Sequence, residues 1–188
     1  GKSAASQWFE SKNIVVVDAD IIAREVVMPE QPTLTQIQKT FGDWVLLENG
    51  ELNRRALREH IFKEPTARKA LESITHPAIR NSIIQQLNAA QSPYVVLVSP
   101  LLFETNQHEL TNRTLLIDAS EELQIQRASQ RDGQNIEQIK NIIQVQMPRI
   151  EKQKRANDIV LNDGHLAHLY QQLIPLHEKY LALSKKQS

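Results

Sequence analysis

Gly1-Lys2-Ser3 opens the chain, Ala4-Ala5-Ser6-Gln7-Trp8-Phe9 follows, and after Ser11-Lys12-Asn13 comes Ile14-Val15-Val16-Val17-Asp18-Ala19-Asp20. The order of these pieces decides the fold. Ala4, Ala5, Trp8 and Phe9 share one face of a helix, and Ser11–Asn13 ends it. Ile14–Val17 is a β-branched run, the mark of a strand buried on both faces. Gly-Lys-Ser at the mouth of a helix that feeds such a strand reads as the closing half of a phosphate-binding loop, GxxxxGK[ST]. In that loop backbone N–H groups cradle phosphates, the Lys reaches the β/γ-phosphates and the Ser hydroxyl ligates Mg²⁺. A helix N-terminus attracts anions through its unpaired N–H groups and its dipole. Three residues alone fit an ordinary basic start equally well; the helix and strand behind them favour the loop. A first strand and the front of the loop, roughly a dozen residues, are expected upstream of Gly1.

Three further runs read as buried strands: Tyr94–Val98, Thr114–Ile117 and Ile159–Leu161. Helical patterns separate them, which argues an α/β fold with a parallel sheet. Three of the four runs are followed by Asp or Ser, at Asp18, Ser99 and Asp118. Ligands collect at the carboxyl ends of strands in such sheets, although a strand-end Asp more often makes a turn or a cap. Residues 28–92 read as helical and strand-free. Leu34, Ile37 and Phe41 share a face, Asn53 is a candidate N-cap, and Pro77 suits a helix's first turn. A crossover that long exceeds what a connection needs, so it reads as an insertion able to close over a substrate.

Ser120 is expected to cap a helix running to about Arg131, with Asp132-Gly133 as its break. Ile136, Ile139, Ile143 and Met147 pattern a second helix. Arg127, Arg131, Arg149, Lys152, Lys154 and Arg155 cluster nearby, either as a solvated basic face or as a lid whose cations approach phosphates. Leu166, Leu169, Leu173, His177 and Tyr180 are at helical spacing and read as packing.

The chain has 188 residues, 22 Lys plus Arg against 22 Asp plus Glu, and no Cys. One domain with an insertion accommodates that length. Nothing in the charge balance argues for a global attraction to nucleic acid or membrane, local basic clusters aside, and no apolar run approaches the ~20 residues of a span. Without Cys there is no disulfide framework or thiolate metal site, which suits a reducing, cytoplasmic setting. A monomer or weak homo-oligomer is expected.

Asp18 and Asp20, read as one strand, face the same side and supply a general base and a metal–water acceptor. Phosphoryl transfer asks little more of a protein than positioning, charge neutralisation and such a base. The plainer reading is a strand-end turn with Asp20 as helix cap. Pro100-Leu101-Leu102-Phe103-Glu104 forms an apolar lip with one carboxylate.

These pieces together resemble the dephospho-CoA kinase family. The matching segments are GKS at 1–3, DADxxAREVV at 18–27, FG at 41–42, LxRxxLR at 52–58 and ITHPxIR at 74–80. SPLLFE at 99–104, QRxxQRD at 126–132, QMPRxEK at 146–152 and ANDIVLNDG at 156–164 follow in order. The resemblance implies a P-loop NTPase-type parallel sheet flanked by helices, made of residues 1–27 and 93–188, with a lid at about 127–158. Residues 28–92 are then a helical insertion that binds the CoA moiety. It implies transfer of the ATP γ-phosphate to the ribose 3′-hydroxyl of dephospho-CoA, with Mg²⁺. Gly1, Lys2, Ser3 and Ala4 then match the nucleotide loop, Ser3 being the metal ligand. Asp20 matches the general base, supported by Asp18, and Arg24 follows in the same motif. Arg127 and Arg131, and less closely Arg149, match cations that steady the transferring phosphoryl. Thr75, His76, Arg80, Leu101, Leu102, Phe103 and Glu104 match the substrate face, and Asn162 and Gly164 the loop beside adenine. Residue 4 is Ala where the family usually has a second hydroxyl, and Asn157 stands where an Asp is common. Two alternatives remain on the residues alone: another small-metabolite or nucleoside kinase of this fold, or a non-catalytic nucleotide-binding module. The long insertion and the PLLFE lip argue against the first, and no segment built to respond to a γ-phosphate argues for the second.

Overall fold

The computed structural model describes residues 2–132 and 146–186, the side chains of Lys2, Glu121, Arg131 and Asp132 excepted. Helix α1 spans Lys2–Ser11 and buries Ala5, Trp8 and Phe9 on one face. It ends in a Schellman closure: Asn13 N donates to the Glu10 carbonyl and Ile14 N to the Phe9 carbonyl. Asn13 sits at φ 62°, a left-handed conformation that asparagine tolerates better than most residues. Ile14 then packs in the cluster that holds Phe9.

Strand β1, Val15–Asp18, pairs with β2, Val95–Val98. Strand β3, Leu115–Asp118, pairs in parallel with β4, Asp158–Leu161. The chain is thus α/β, and each apolar run lies on a strand whose ends differ from it by a residue. Ladder pairing sets those ends. Thr114, expected to open β3, instead gives its N–H to Asn157 Oδ1 at 2.9 Å, while its carbonyl accepts from Asn157 N and Asp158 N. That clasp brings Leu115 opposite Asp158.

Burial on both faces does not hold throughout. Val15 is 39% exposed, and β4 alternates, with Asp158 and Val160 inward and Ile159 and Leu161 toward solvent. Among the described strands β4 pairs with β3 alone, which leaves its other edge to a side chain. The amide of Gln172 occupies that edge, donating to Leu161 O at 2.8 Å and accepting from Leu161 N at 3.0 Å.

The chain divides into two compact units, Gly1–Val16 with Ala90–Ser188, and Val17–Ala89. The first unit contains α1, helix α6 at Glu121–Asp132, helix α7 at Arg149–Arg155 and helix α8 at Leu166–Lys186. Its core is Ala5, Trp8, Phe9, Ile14, Val160, Leu169 and Leu173. The larger aliphatic and Phe side chains of this set each contribute about 1.5–3 kcal/mol when fully buried. Ser120 caps α6 as expected, its Oγ accepting from Leu123 N at 3.2 Å. The expected break at Gly133 and the pattern Ile136, Ile139 and Ile143 lie outside the described residues. On α8, Leu169 and Leu173 are fully buried, whereas Leu166 in the first turn is exposed. His177 is satisfied within the packing: its Nδ1 lies 2.6 Å from Tyr94 Oη.

The second unit holds four helices: α2 at Ala19–Glu25, α3 at Pro32–Phe41, α4 at Arg54–Lys63 and α5 at Pro65–Ala89. Helix α5 packs against the other three, and Val27, Ile37, Val45, Leu57 and Ile74 form the core. Asn53 caps α4, its Oδ1 accepting from Ala56 N at 3.2 Å. Pro77 does not start a helix. It lies inside α5, whose first residue is Pro65. The buried Ile74 and Ile83 flank it, and their packing outweighs the roughly 3 kcal/mol local cost of an interior proline. Residues 28–92 contain, besides helices, one isolated antiparallel bridge between Leu46 and Leu52.

Candidate functional site

The N-terminal turn of α1 carries the first group of candidates. Lys2 opens the helix and Ser3 is exposed in its first turn, with Ala4 half-buried behind it. The first N–H groups of a helix lack intrahelical acceptors, so this end is chemically suited to an anion. Gly1 and the Lys2 side chain lie outside the described residues.

The turn after β1 corrects the strand reading of the acidic pair. Asp18 is the last residue of β1, but Asp20 is already in the first turn of α2. The two carboxylates therefore do not share a strand face. Asp18, not Asp20, is the cap: its Oδ1 accepts from Asp20 N at 2.9 Å and from Ile21 N at 3.4 Å. A short acceptor at a β-region residue satisfies amides that the helix cannot. Asp20 is left exposed, and Arg24 is exposed in the last turn. Residues four apart share a helix face, so this turn displays one carboxylate and one guanidinium together.

On α5, Thr75 Oγ1 donates to the Leu71 carbonyl at 3.1 Å, which leaves its lone pairs as acceptors. His76 is exposed and Arg80 half-buried; four apart, they share a face.

The loop after β2 folds on itself. Thr105 N donates to Leu101 O, Asn106 N to Phe103 O and His108 N to Leu102 O. Within the lip, Phe103 is the buried residue, Leu102 is half-buried and Leu101 is 37% exposed. Both carboxylate oxygens of Glu104 are buried without a hydrogen-bond partner among the described residues, as are Gln107 Oε1 and His108 Nδ1. A buried polar atom left unpaired costs about 1–3 kcal/mol. The oxygens of Glu104 and Gln107 on this loop are chemically matched to a ligand or waters bearing N–H or O–H donors, and His108 Nδ1 donates or accepts according to its tautomer.

At the end of β3 lies an ion pair that sequence reasoning passed over as a turn or cap. Asp118 is buried, and Arg149 at the start of α7 grips it with both edges of a fork: Nε to Oδ1 at 2.7 Å and Nη2 to Oδ2 at 2.9 Å. Gln153, one turn further along α7, donates to Oδ2 at 2.8 Å. Arg149's bonds hold the Asp118 carboxyl below the usual carboxylate range against the opposing push of burial. The Asp118 carbonyl accepts from Asn162 N at 2.8 Å, and Asn162 is buried just past β4. Gly164 is exposed, and a side chain there would meet nothing within 4 Å. Arg127 is half-buried on α6; the Arg131 side chain lies outside the described residues.

Asp158, also missed, opens β4. Arg113 Nε and Nη2 reach it at 3.3 Å each, Lys179 at 2.7 Å and Tyr180 Oη at 2.8 Å. Burial raises its carboxyl, but these donors outweigh burial and hold it below the usual range. Burial, and then Asp158 itself, push the Tyr180 phenol up. The sequence signals were an Asp opening an apolar run and its place in the ANDIVLNDG segment.

The dephospho-CoA kinase family model matches residues 1–168. A dephospho-CoA kinase of Acinetobacter baylyi is 75% identical over 181 residues, 96% of this chain and 93% of that protein. One of Psychrobacter cryohalolentis is 49% identical, over 99% of this chain and 82% of that protein. Among solved structures, a crystal structure from Thermus thermophilus superposes with a TM-score of 0.83 at 31% identity, covering 95% of this chain and 91% of the other. The dephospho-CoA kinase of Campylobacter jejuni superposes at 0.70 and 27% identity, over 100% and 93%.

Proposed function

The chain belongs to the dephospho-CoA kinase family, P-loop kinases that transfer the ATP γ-phosphate to the ribose 3′-hydroxyl of dephospho-CoA, and on that premise we propose how its residues divide the work. Lys2 and the N–H groups at the start of α1 hold the β- and γ-phosphates. Arg127 and Arg131, with Arg149, neutralise the charge that develops as the phosphoryl moves. Asp20 accepts the proton of the 3′-hydroxyl. The freed oxygen bonds to the γ-phosphorus, the bond to the β–γ bridging oxygen breaks, and ADP leaves with that electron pair. Asp18 sets the turn that presents Asp20 and supports metal or water.

Ser3 offers one exposed hard oxygen, which suits Mg²⁺, an ion that keeps waters and takes its other ligands from phosphates. When bound, it neutralises phosphate charge. Asn162 and Gly164 line the adenine. Residues 28–92, through Thr75, His76 and Arg80, take the acceptor together with Arg24, Leu101, Leu102, Phe103 and Glu104. Residues 127–158 act as the lid. The protein works in the cytoplasm as a monomer or weak homo-oligomer without nucleic acid; among the described residues no helix is long and apolar enough to cross a membrane.

The observation that carries the residue assignment is the capped turn after β1. It spends Asp18 on backbone amides and leaves Asp20 exposed at a helix start. The test is ADP release measured with dephospho-CoA, with AMP and with no acceptor, for the wild type and Asp20→Asn. Release that requires dephospho-CoA and collapses in Asp20→Asn, with ATP affinity retained, is the expected result. Release indifferent to the acceptor, or a fully active Asp20→Asn, overturns the reading.

A further inference from the structure

We propose that Asp118 is a positioning residue for phosphoryl transfer, holding the Arg149 guanidinium and the Asn162 backbone in place on the nucleotide side of the site. The inference rests on the assignment of Arg149 to the nucleotide's phosphates. A planar guanidinium bound through Nε and Nη2 cannot rotate away from its partner, and its Nη1 edge is directed away from the carboxylate. The carboxylate side of this pair is 7% exposed and the Arg149 side chain 37%. The anchoring carboxylate is therefore buried while the Arg149 side chain is only partly so, and the fork fixes the orientation of the guanidinium.

Gln153 adds a third bond at 2.8 Å to the same carboxylate. It ties a second turn of α7 down, so the helix cannot pivot about Arg149 alone. The main chain of the same residue fixes the loop after β4, through Asn162 N to Asp118 O at 2.8 Å. The Asp118 side chain, at the carboxyl end of β3 where ligands collect in open α/β sheets, thus sets the phosphate-directed cation, while the strand ladder itself holds the start of the loop assigned to adenine. Electrostatic catalysis needs such cations in place before charge develops, and a displacement of about 1 Å costs as much as ~100-fold in rate.

The test is a double-mutant cycle on the full chain with Asp118→Asn, Arg149→Ala and both together. Thermal melts, ATP dissociation constants, and kcat and KM for ATP are measured for each. Both single variants are expected to raise KM for ATP and lower kcat, by between about tenfold and ~100-fold in kcat/KM. The double variant is expected to be no worse than Arg149→Ala alone, because Asp118 acts through Arg149. Arg149→Lys, which keeps the charge but cannot make the forked contact, is expected to resemble Asp118→Asn, and Asp118→Glu to recover part of the loss. A merely structural Asp118 lowers the melt while leaving KM and kcat per folded molecule unchanged. If Arg149→Ala is impaired and a folded Asp118→Asn is within twofold of wild type, the inference falls and the role of Arg149 stands. If Arg149→Ala is itself unimpaired, both fall. Should Asp118→Asn not fold, Arg149→Lys and Asp118→Glu decide the question by the same readouts.

Discussion

Asparagine at position 18 separates the two tasks that the first acidic residue performs. Asn retains the Oδ1 that accepts from Asp20 N at 2.9 Å and Ile21 N at 3.4 Å, and it caps helices about as well as Asp. It loses the charge that favours a helix N-terminus, about 0.3 kcal/mol for an exposed turn on so short a helix. In a chain of this size, that lowers Tm by about 1 °C. Alanine loses the cap as well, a further ~1 kcal/mol, so its Tm falls by about 3–5 °C. If the carboxylate also supports the metal or the attacking group, its removal in either variant costs about 10²–10³ in kcat, the usual loss for one preorganised electrostatic contact. Thermal melts beside coupled ADP release with dephospho-CoA read both quantities. An Asp18→Asn protein with wild-type kcat and a melt lowered by no more than about 1 °C refutes any chemical role and leaves Asp18 as a cap alone. Loss in Asp18→Ala without loss in Asp18→Asn shows that the turn, not the charge, places Asp20.

Asp158→Ala strands two cations and the Tyr180 hydroxyl. Breaking a buried pair costs about 3–5 kcal/mol, here nearer 2–3 because Arg113 and Lys179 are 34% and 45% exposed and resolvate. Differential scanning calorimetry should show Tm lower by about 4–12 °C, with kcat per folded molecule unchanged. Asp118 and Asp158 both titrate below their ordinary value in the folded protein. Their contribution is therefore complete above the unfolded carboxylate value of about 3.9 and disappears as pH falls through the folded values. Melts across an acid series should steepen below about pH 4, and Asp118→Asn should flatten that limb. Leu173→Ala opens a cavity beside Leu169 and Trp8 in a fully buried site, and urea unfolding should report a loss of about 2–5 kcal/mol. A midpoint at the wild-type value would mean that α8 does not anchor this core.

Local signals survived folding where their cause is local. The face of Ala5, Trp8 and Phe9, the caps at Asn53 and Ser120, and the spacing of Leu169 and Leu173 on one helix face each depend on residues within a turn or two. Pro77 misled because a proline's preference for a helix start is a local term, and it was overridden by packing of Ile74 and Ile83 on one continuous helix. The acidic pair misled for a related reason: strand alternation was extended past Asp18, although the backbone had already turned into α2.

The chain's own residues determined the α/β alternation, the family and which residues are candidates for the site. Hydrophobic period, turn chemistry and ordered motifs are properties of neighbours in sequence. Only the tertiary structure decided which carboxylates cap a turn or grip a guanidinium and which stay exposed. Asp118 meets Arg149 across 31 positions and Asp158 meets Arg113 across 45. No spacing rule reports such a pairing, because it is set by where two strands and two helices come to rest against one another.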